Sequence, residues 1–315
     1  MKENFTVGFS GNTYDLEQLL DASKKINSVY TGGLKNMISG GRPQYISSMK
    51  EIEDFVSVAH RYHVNFEIAI NAPCGIEDTT NKKWWNEIRD YLKELELLGV
   101  TGIIASHPFI ISAVKALTHL KVIASTICEI QSCRSALYYE DIGADVIIPS
   151  MNCNYNLQLL NEMKNCLKKS SLRLMVNEHC LGDCPWRRFH HSHYAHSNYE
   201  LDYHIKCKKT YWDNPYLLLT NSVIRPEDLI HYEGIINNFK IVGRQIPIES
   251  LTKIVKAYDK NYYDGNYVDL FDIKIAPHFY ISNQELNNLF TYKSSCHVHC
   301  HKCSLCKELY ENTKN

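Results

Sequence analysis

Along the first two thirds of the chain one unit recurs. A short apolar, β-branched run is followed by a brief polar loop, then by a segment whose apolar positions return every three or four residues. The apolar runs predict strands at Phe5–Ser10, Val29–Thr31, Asn65–Asn71, Gly102–Ser106, Lys121–Thr126, Asp145–Ser150, Leu172–Asn177 and Phe239–Gly243, the second being the shortest. Between them, Leu16, Leu19, Leu20 and Ile26 make one apolar helical face. Ile52, Phe55, Val56 and Ala59 make another, opened by a capping box from Ser48 to Glu51. Trp84, Trp85, Ile88, Leu92 and Leu95 make a third, and Gly99 suits the left-handed position just past a helix.

The junctions ending at Ser106 and at Ser150 resemble each other, each a helix end, a glycine and a strand apolar on both faces. Strands that read this way lie in parallel sheets covered by helices. Eight of them alternating with helices favour an α/β fold, a closed (β/α)8 TIM-like barrel. An open doubly wound sheet is the alternative, and no GxGxxG follows the first strand to support its dinucleotide-binding form. The pattern breaks after Asn177, where roughly 60 residues rich in Cys, His, Tyr and Trp precede the last strand. A connection that long is usually functional. The organisation expected is a barrel domain over 1–280 and a Cys-rich C-terminal extension over 281–315.

Composition narrows the function classes. Of 315 residues, 44% are hydrophobic and 22% charged, which is ordinary for a globular protein, and a net charge of −1 gives no global pull toward nucleic acid or anionic membrane. The opening residues lack an apolar signal core and no run reaches the ~18 apolar residues of a membrane span. A soluble, cytoplasmic protein with no membrane partner is expected. In a reducing compartment, clustered cysteines point to metal rather than disulfides.

The cysteines concentrate in two places. Cys180 and Cys184 follow the seventh strand, with Cys207 downstream. The C-terminal strand ends form the active face of a parallel barrel, so these thiols face its mouth. Three thiolates hold most of a [4Fe–4S] cube, and zinc accepts the same cysteines together with the histidines nearby. Cys296, Cys300, Cys303 and Cys306 form the second cluster, again open to iron–sulfur or zinc. Seven clustered cysteines are one short of two all-Cys cubanes, so one or two clusters are expected. Cys74, Cys128 and Cys153 each lie shortly after a strand and are candidates for the missing ligand, or ordinary buried thiols.

Three further sets carry candidate chemistry. His190, His193 and His196 are spaced to share one helical face, with His193 and His196 as proton-transfer candidates or simply a polar helix surface. Glu178, two residues before Cys180, is a general acid or base candidate. Arg42 and Arg244 follow the second and eighth strands, both neighbours of the first, and could clamp one anionic group with Asn177 nearby or form structural salt bridges.

Gly40–Gly41–Arg42, the strand-end Cys180, the Val223–Leu229 segment and the Phe239–Arg244 run (FKIVGR), in that order, resemble peptidase family U32, the collagenase-like proteases, over roughly Phe5 to Tyr262. The resemblance implies an iron–sulfur protein supporting oxygen-independent hydroxylation, of ubiquinone precursors or of bases in tRNA and ribosomal RNA, with prephenate as oxygen source. It also implies that Cys180 is the first cluster ligand, with Cys184 and Cys207 as further ligands. The chain departs from the family pattern in having Asn177–Glu178 where His-Gly is common, a Trp186–His196 segment in place of Ser-Gly-x-Cys, and a four-cysteine tail. Two other readings stay open. One is a peptidase, although neither GxSxG nor HExxH occurs. The other is a metal-stabilised electron-transfer or binding protein that meets a partner through the tail.

Overall fold

The computed structural model describes residues 3–34, 46, 48–73, 81–195, 204–296 and 298–314, with side chains of the helix beginning at 204 described from Lys209 onward. Its strands are β1 (Asn4–Gly8), β2 (Ile26–Gly32), β3 (Asn65–Ile70), β4 (Gly102–Ala105), β5 (Lys121–Ala124), β6 (Val146–Ile147), β7 (Ser171–Leu172), β8 (Leu174–Met175) and β9 (Asn238–Ile241). All named pairings are parallel, in the order β7-β6-β5-β4-β3-β2-β1-β9-β8. The two ends of that series, β7 and β8, are halves of one physical strand. Ser171 and Leu172 pair with β6, Leu174 and Met175 pair with β9, and Arg173 joins them, so the ring closes into an eight-stranded barrel. Strand seven splits because twist carries it from one neighbour to the other within five residues.

Helices cover the ring: α1 (Thr13–Asp21), α2 (Met49–Arg61), α3 (Lys82–Leu97), α4 (Pro108–Leu117), α5 (Cys133–Asp141) and α6 (Leu157–Cys166). After them come α7 (Arg187–Ala195), α8 (His204–Asp213), α9 (Ile248–Lys260), α10 (Leu289–Ser294) and α11 (Leu305–Thr313). Local chemistry sets their starts. Asn12 accepts from the N–H of Tyr14 and Asp15 while Asp15 returns a bond to Asn12 N, and Ser48 accepts from Glu51 N at 3.2 Å. Gly99 closes α3 at φ +88. Two expectations are corrected. Ile26 belongs to β2, not to the apolar face of α1, and β2 runs for seven residues rather than three. The polar Asn27 and Ser28 hide this strand's start, because Ser28 is buried in a charged layer inside the barrel beside Glu67.

Alternate strand residues point to opposite sides of the wall. Val29, Ile68, Ile103, Val122, Ile147 and Leu174 pack outward with the helices. Tyr30, Ala69, Ile104, Ile123, Ile148 and Met175 pack together inside. Two residues earlier on their strands, Ser28, Glu67, Arg173 and Lys240 make a polar layer below that apolar one. Two residues later, Asn71, Ser106, Ser125, Ser150, Asn177 and Arg244 make a polar layer at the mouth. This is the three-layer filling of a (β/α)8 barrel, with a carboxylate and two cations at the bottom and Asn and Ser side chains with one arginine at the top. Gly8 is required here, because a Cβ would lie 2.5 Å from Cζ of the Tyr30 ring.

A second apolar cluster lies beyond the ring. Tyr211, Leu218, Leu219, Tyr267, Val268, Phe271 and Leu286 form it, with Cys306, Leu309 and Tyr310 of the tail packed against it. Among the described residues, no helix is long and apolar enough to cross a membrane.

Candidate active site at the barrel mouth

The chain leaves β8 into a loop that carries Asn177, Glu178, His179, Cys180 and Cys184 over the C-terminal mouth. The loop is tied down at several points. Asn177 donates to the carbonyls of Val242 and Leu270 and accepts from Val242 N at 2.6 Å. Tyr211 Oη donates to His179 O at 2.6 Å, and Asn152 donates to Asp183 Oδ1 at 2.9 Å. Gly182 passes so close to Thr220 that a Cβ would meet its carbonyl at 2.5 Å.

A cavity of about 180 Å3 opens here. It is lined by Asn177, Glu178, His179, Cys180 and Cys184 from the loop, and by Arg187, His190 and His191 from α7. Tyr211, Gln245, Ile246, Phe271, Asp272 and Lys274 complete much of the wall. Glu178 is buried, and the Cys180 thiol donates to its Oε1 at 3.8 Å. His179 stands 3.6 Å from Glu178 through Nδ1 and 3.8 Å from Asp272 through Nε2. Thiol, carboxylate, imidazole and second carboxylate thus stand in succession, the imidazole within ion-pair reach of both carboxylates but hydrogen-bonded to neither.

Arg187 anchors α7. Its guanidinium donates to both Glu129 oxygens at 2.8 and 2.6 Å, to Ser150 Oγ and to Asn152 Oδ1. Burial pushes the Glu129 carboxyl upward, but the Arg187 and Ser150 bonds outweigh it and leave the carboxyl below its usual range. Burial likewise opposes the Arg187 charge, which Glu129 sustains with help from Cys180 and Glu178. A second hollow lies on the other side of α7, lined by His107, Cys128, Glu129, Tyr139, Arg188 and His191 among others, so His191 borders both.

The sequence-derived candidates are distributed as follows. Cys180, Cys184, Glu178 and Asn177 meet in one cavity. Cys207 lies in α8, four residues before the cavity-lining Tyr211, and its side chain lies outside those described. His193 is a half-buried residue of α7, on which His190 and His191 are the cavity-lining histidines. Arg244 is buried in the turn three residues past β9, 5.6 Å over the Tyr30 ring, and its carbonyl accepts from Ser10 Oγ. Arg42, His196 and Cys74 lie outside the described residues. Cys153 is buried and donates to Ile130 O, and burial lifts its thiol to about 11. Cys128 donates to the Ala105 and Ser106 carbonyls, and burial lifts its thiol to about 12. Both behave as packing thiols. Sequence reading passed over Arg187, Glu129 and Asp272, and took His179 only as one of the histidines near the thiols. No short motif marks them, because they join across separate loops.

The family model for peptidase family U32 matches residues 14–269, most of the chain. The chain belongs to peptidase family U32. An uncharacterised protease of Methanocaldococcus jannaschii is 29% identical over 309 residues, covering 94% of this chain and 92% of the relative. A solved U32 peptidase structure superposes with a TM-score of 0.60 at 19% identity, covering 78% of this chain and 94% of that one, which is a likeness of fold. The U32 match runs from α1 to beyond α9, taking in β2 to β9 and the mouth loop, and leaves out β1, α10, α11 and the four tail cysteines.

The cavity bears on the expected iron–sulfur group through its donors. Two described thiols, Cys180 and Cys184, share one wall. Among the described residues, no three His, Cys, Asp or Glu side chains are already arranged as a metal set. Cys207 is the position from which a third thiol would come.

Proposed function

We propose that this U32 member is an iron–sulfur-dependent enzyme that carries out a hydroxylation-type modification without molecular oxygen. The ligand set is Cys180, Cys184 and Cys207. The observation that carries the reading is the placing of Cys180 and Cys184 on one cavity wall beside the Glu178–His179–Asp272 run. Cys207 belongs to the same helix, α8, as the cavity-lining Tyr211. When bound, such a cluster supplies one-electron chemistry at the barrel mouth.

The protein's own groups do the rest. Glu178 takes or returns a proton at its Oε1, and His179 passes it toward Asp272. Arg187, held in place by Glu129, presents positive charge beneath the cavity, and Gln245 and Lys274 orient polar substrate groups at its rim. Ile246 and Phe271 exclude water from one side.

A second reading, thiol-dependent peptidase, is supported by the names of the relatives and by the bond from the Cys180 thiol to Glu178. Anaerobic purification with iron, acid-labile sulfide and zinc quantified together separates the two. Iron and sulfide in roughly fourfold amounts over protein, lost in Cys180→Ala, are expected. Colourless protein without sulfide that cleaves peptides through Cys180 would establish the peptidase instead.

A further inference from the structure

The four tail cysteines are remote in sequence from the mouth loop and are not among the residues lining its cavity. Cys296, Cys300 and Cys303 occupy the reversal between α10 and α11, Cys306 lies in the first turn of α11, and both arms of that reversal are docked. On α10, the buried Phe290 stacks on His231 at 3.8 Å, and the Lys293 ammonium donates to Asn221 O and sits 4.8 Å from the centre of the Tyr155 ring. On α11, Leu309 and Tyr310 pack on the second apolar cluster, and Thr313 O accepts from Ser282 N at 3.0 Å.

Between these arms the backbone takes a form that needs an explanation. Val298, β-branched and exposed, sits at φ +58. The left-handed region costs a non-glycine residue about 1–2 kcal/mol, and no packing around an exposed valine repays it. What the conformation achieves is a hydrogen bond from Val298 N to Cys296 Sγ at 3.4 Å. An amide N–H aimed at a sulfur stabilises negative charge on it. A 3-10 turn over Cys300–Lys302 follows, and Cys303 N donates back to Cys300 O at 3.5 Å; among the described residues no three of these thiols stand together as a metal set, so a bound ion would have to draw them in.

We propose that Cys296, Cys300, Cys303 and Cys306 form a tetrahedral structural zinc site that locks α10 to α11 and so holds the second apolar cluster against the barrel. The intervals of three, two and two residues fall within the spacing of structural zinc sites. Zinc has no redox chemistry, which suits a site where Cys296, Cys300 and Cys303 are exposed. Those three thiols have no core packing to hold them apart, whereas Cys306 is anchored against the cluster that also contributes Phe271 to the mouth cavity. The site is therefore a brace, independent of whichever chemistry the mouth performs.

The test uses the full chain, with zinc, iron and sulfide measured together and cobalt(II) as the spectroscopic probe. About one zinc per chain is expected at this site. Cobalt exchange is expected to give thiolate charge-transfer and tetrahedral d–d bands. The double variant Cys300→Ser with Cys303→Ser loses that zinc and those bands and keeps any iron and sulfide, while Cys180→Ala keeps the zinc. Zinc removed by both the double variant and Cys180→Ala, one ion each, would sink the iron–sulfur reading and leave this one standing. Zinc that survives the double variant, wild-type protein without zinc, or iron and sulfide lost with the tail thiols overturns the proposal. If the double variant does not accumulate, chelation of wild-type protein decides. A lower Tm and faster cleavage between Ser295 and Cys306, both restored by zinc, are expected, and no change in either overturns it.

Discussion

The charged layer inside the barrel makes an asymmetric prediction. Arg173 donates to both oxygens of Glu67 at 2.7 and 2.8 Å, and each side chain is 5% exposed. Lys240 is also buried, stands 4.0 Å over the Tyr30 ring, and its charge reaches Glu67. The layer thus holds one carboxylate between two cations. Glu67→Gln removes the carboxylate and leaves Arg173 and Lys240 buried together, so it should cost about 3–5 kcal/mol, the range for stranding a buried charge. Arg173→Met leaves Glu67 facing Lys240, a balanced pair, and should cost less, roughly 1–3 kcal/mol. Burial pushes the Glu67 carboxyl up, yet Arg173, Ser28 and Lys240 bring it below its usual value. Its contribution is therefore fully present above the ordinary carboxylate pKa and is lost as pH falls through the depressed one. Urea unfolding of wild type and both variants at neutral pH, repeated on acidification, measures all of this. The gap between wild type and Glu67→Gln should narrow only well below the ordinary carboxylate pKa. An Arg173→Met variant as unstable as Glu67→Gln would refute the charge-balance argument.

Two other outcomes follow from the same geometry. Gly8→Ala places a methyl 2.5 Å from the Tyr30 ring, which is itself crowded by Lys240 and Arg244, and should lower stability by about 2–3 kcal/mol, read as a drop in Tm. A wild-type Tm would show that the ring can shift. Arg187→Met cuts α7 from Glu129, Ser150 and Asn152 and should speed amide hydrogen exchange across 187–193 while the barrel strands keep their protection. Unchanged exchange there would mean that α7 is held by something other than this guanidinium.

Much of the architecture is written in local pattern. Seven of the eight strands announce themselves as apolar β-branched runs because helices cover one side and an apolar layer fills the other. The thiols of Cys180 and Cys184 are legible as mouth residues because they follow a strand of a parallel barrel. The second strand is hard to read because its inward Ser28 belongs to the polar layer around Glu67, a residue of the next strand, and periodicity does not reveal that layer. Arg173 looks like a surface charge in a strand of moderate hydrophobicity, yet it closes the ring and neutralises Glu67 inside it.

Residue order alone determined the repeating β/α unit, the family and the two cysteine clusters, since each depends on spacing within a short stretch. Tertiary structure alone decided that Glu129 serves Arg187, that His190 and His191 border the mouth cavity, and that His179 stands between Glu178 and Asp272. Those pairings join loops from different strands, and closing the barrel is what brings their ends to one face.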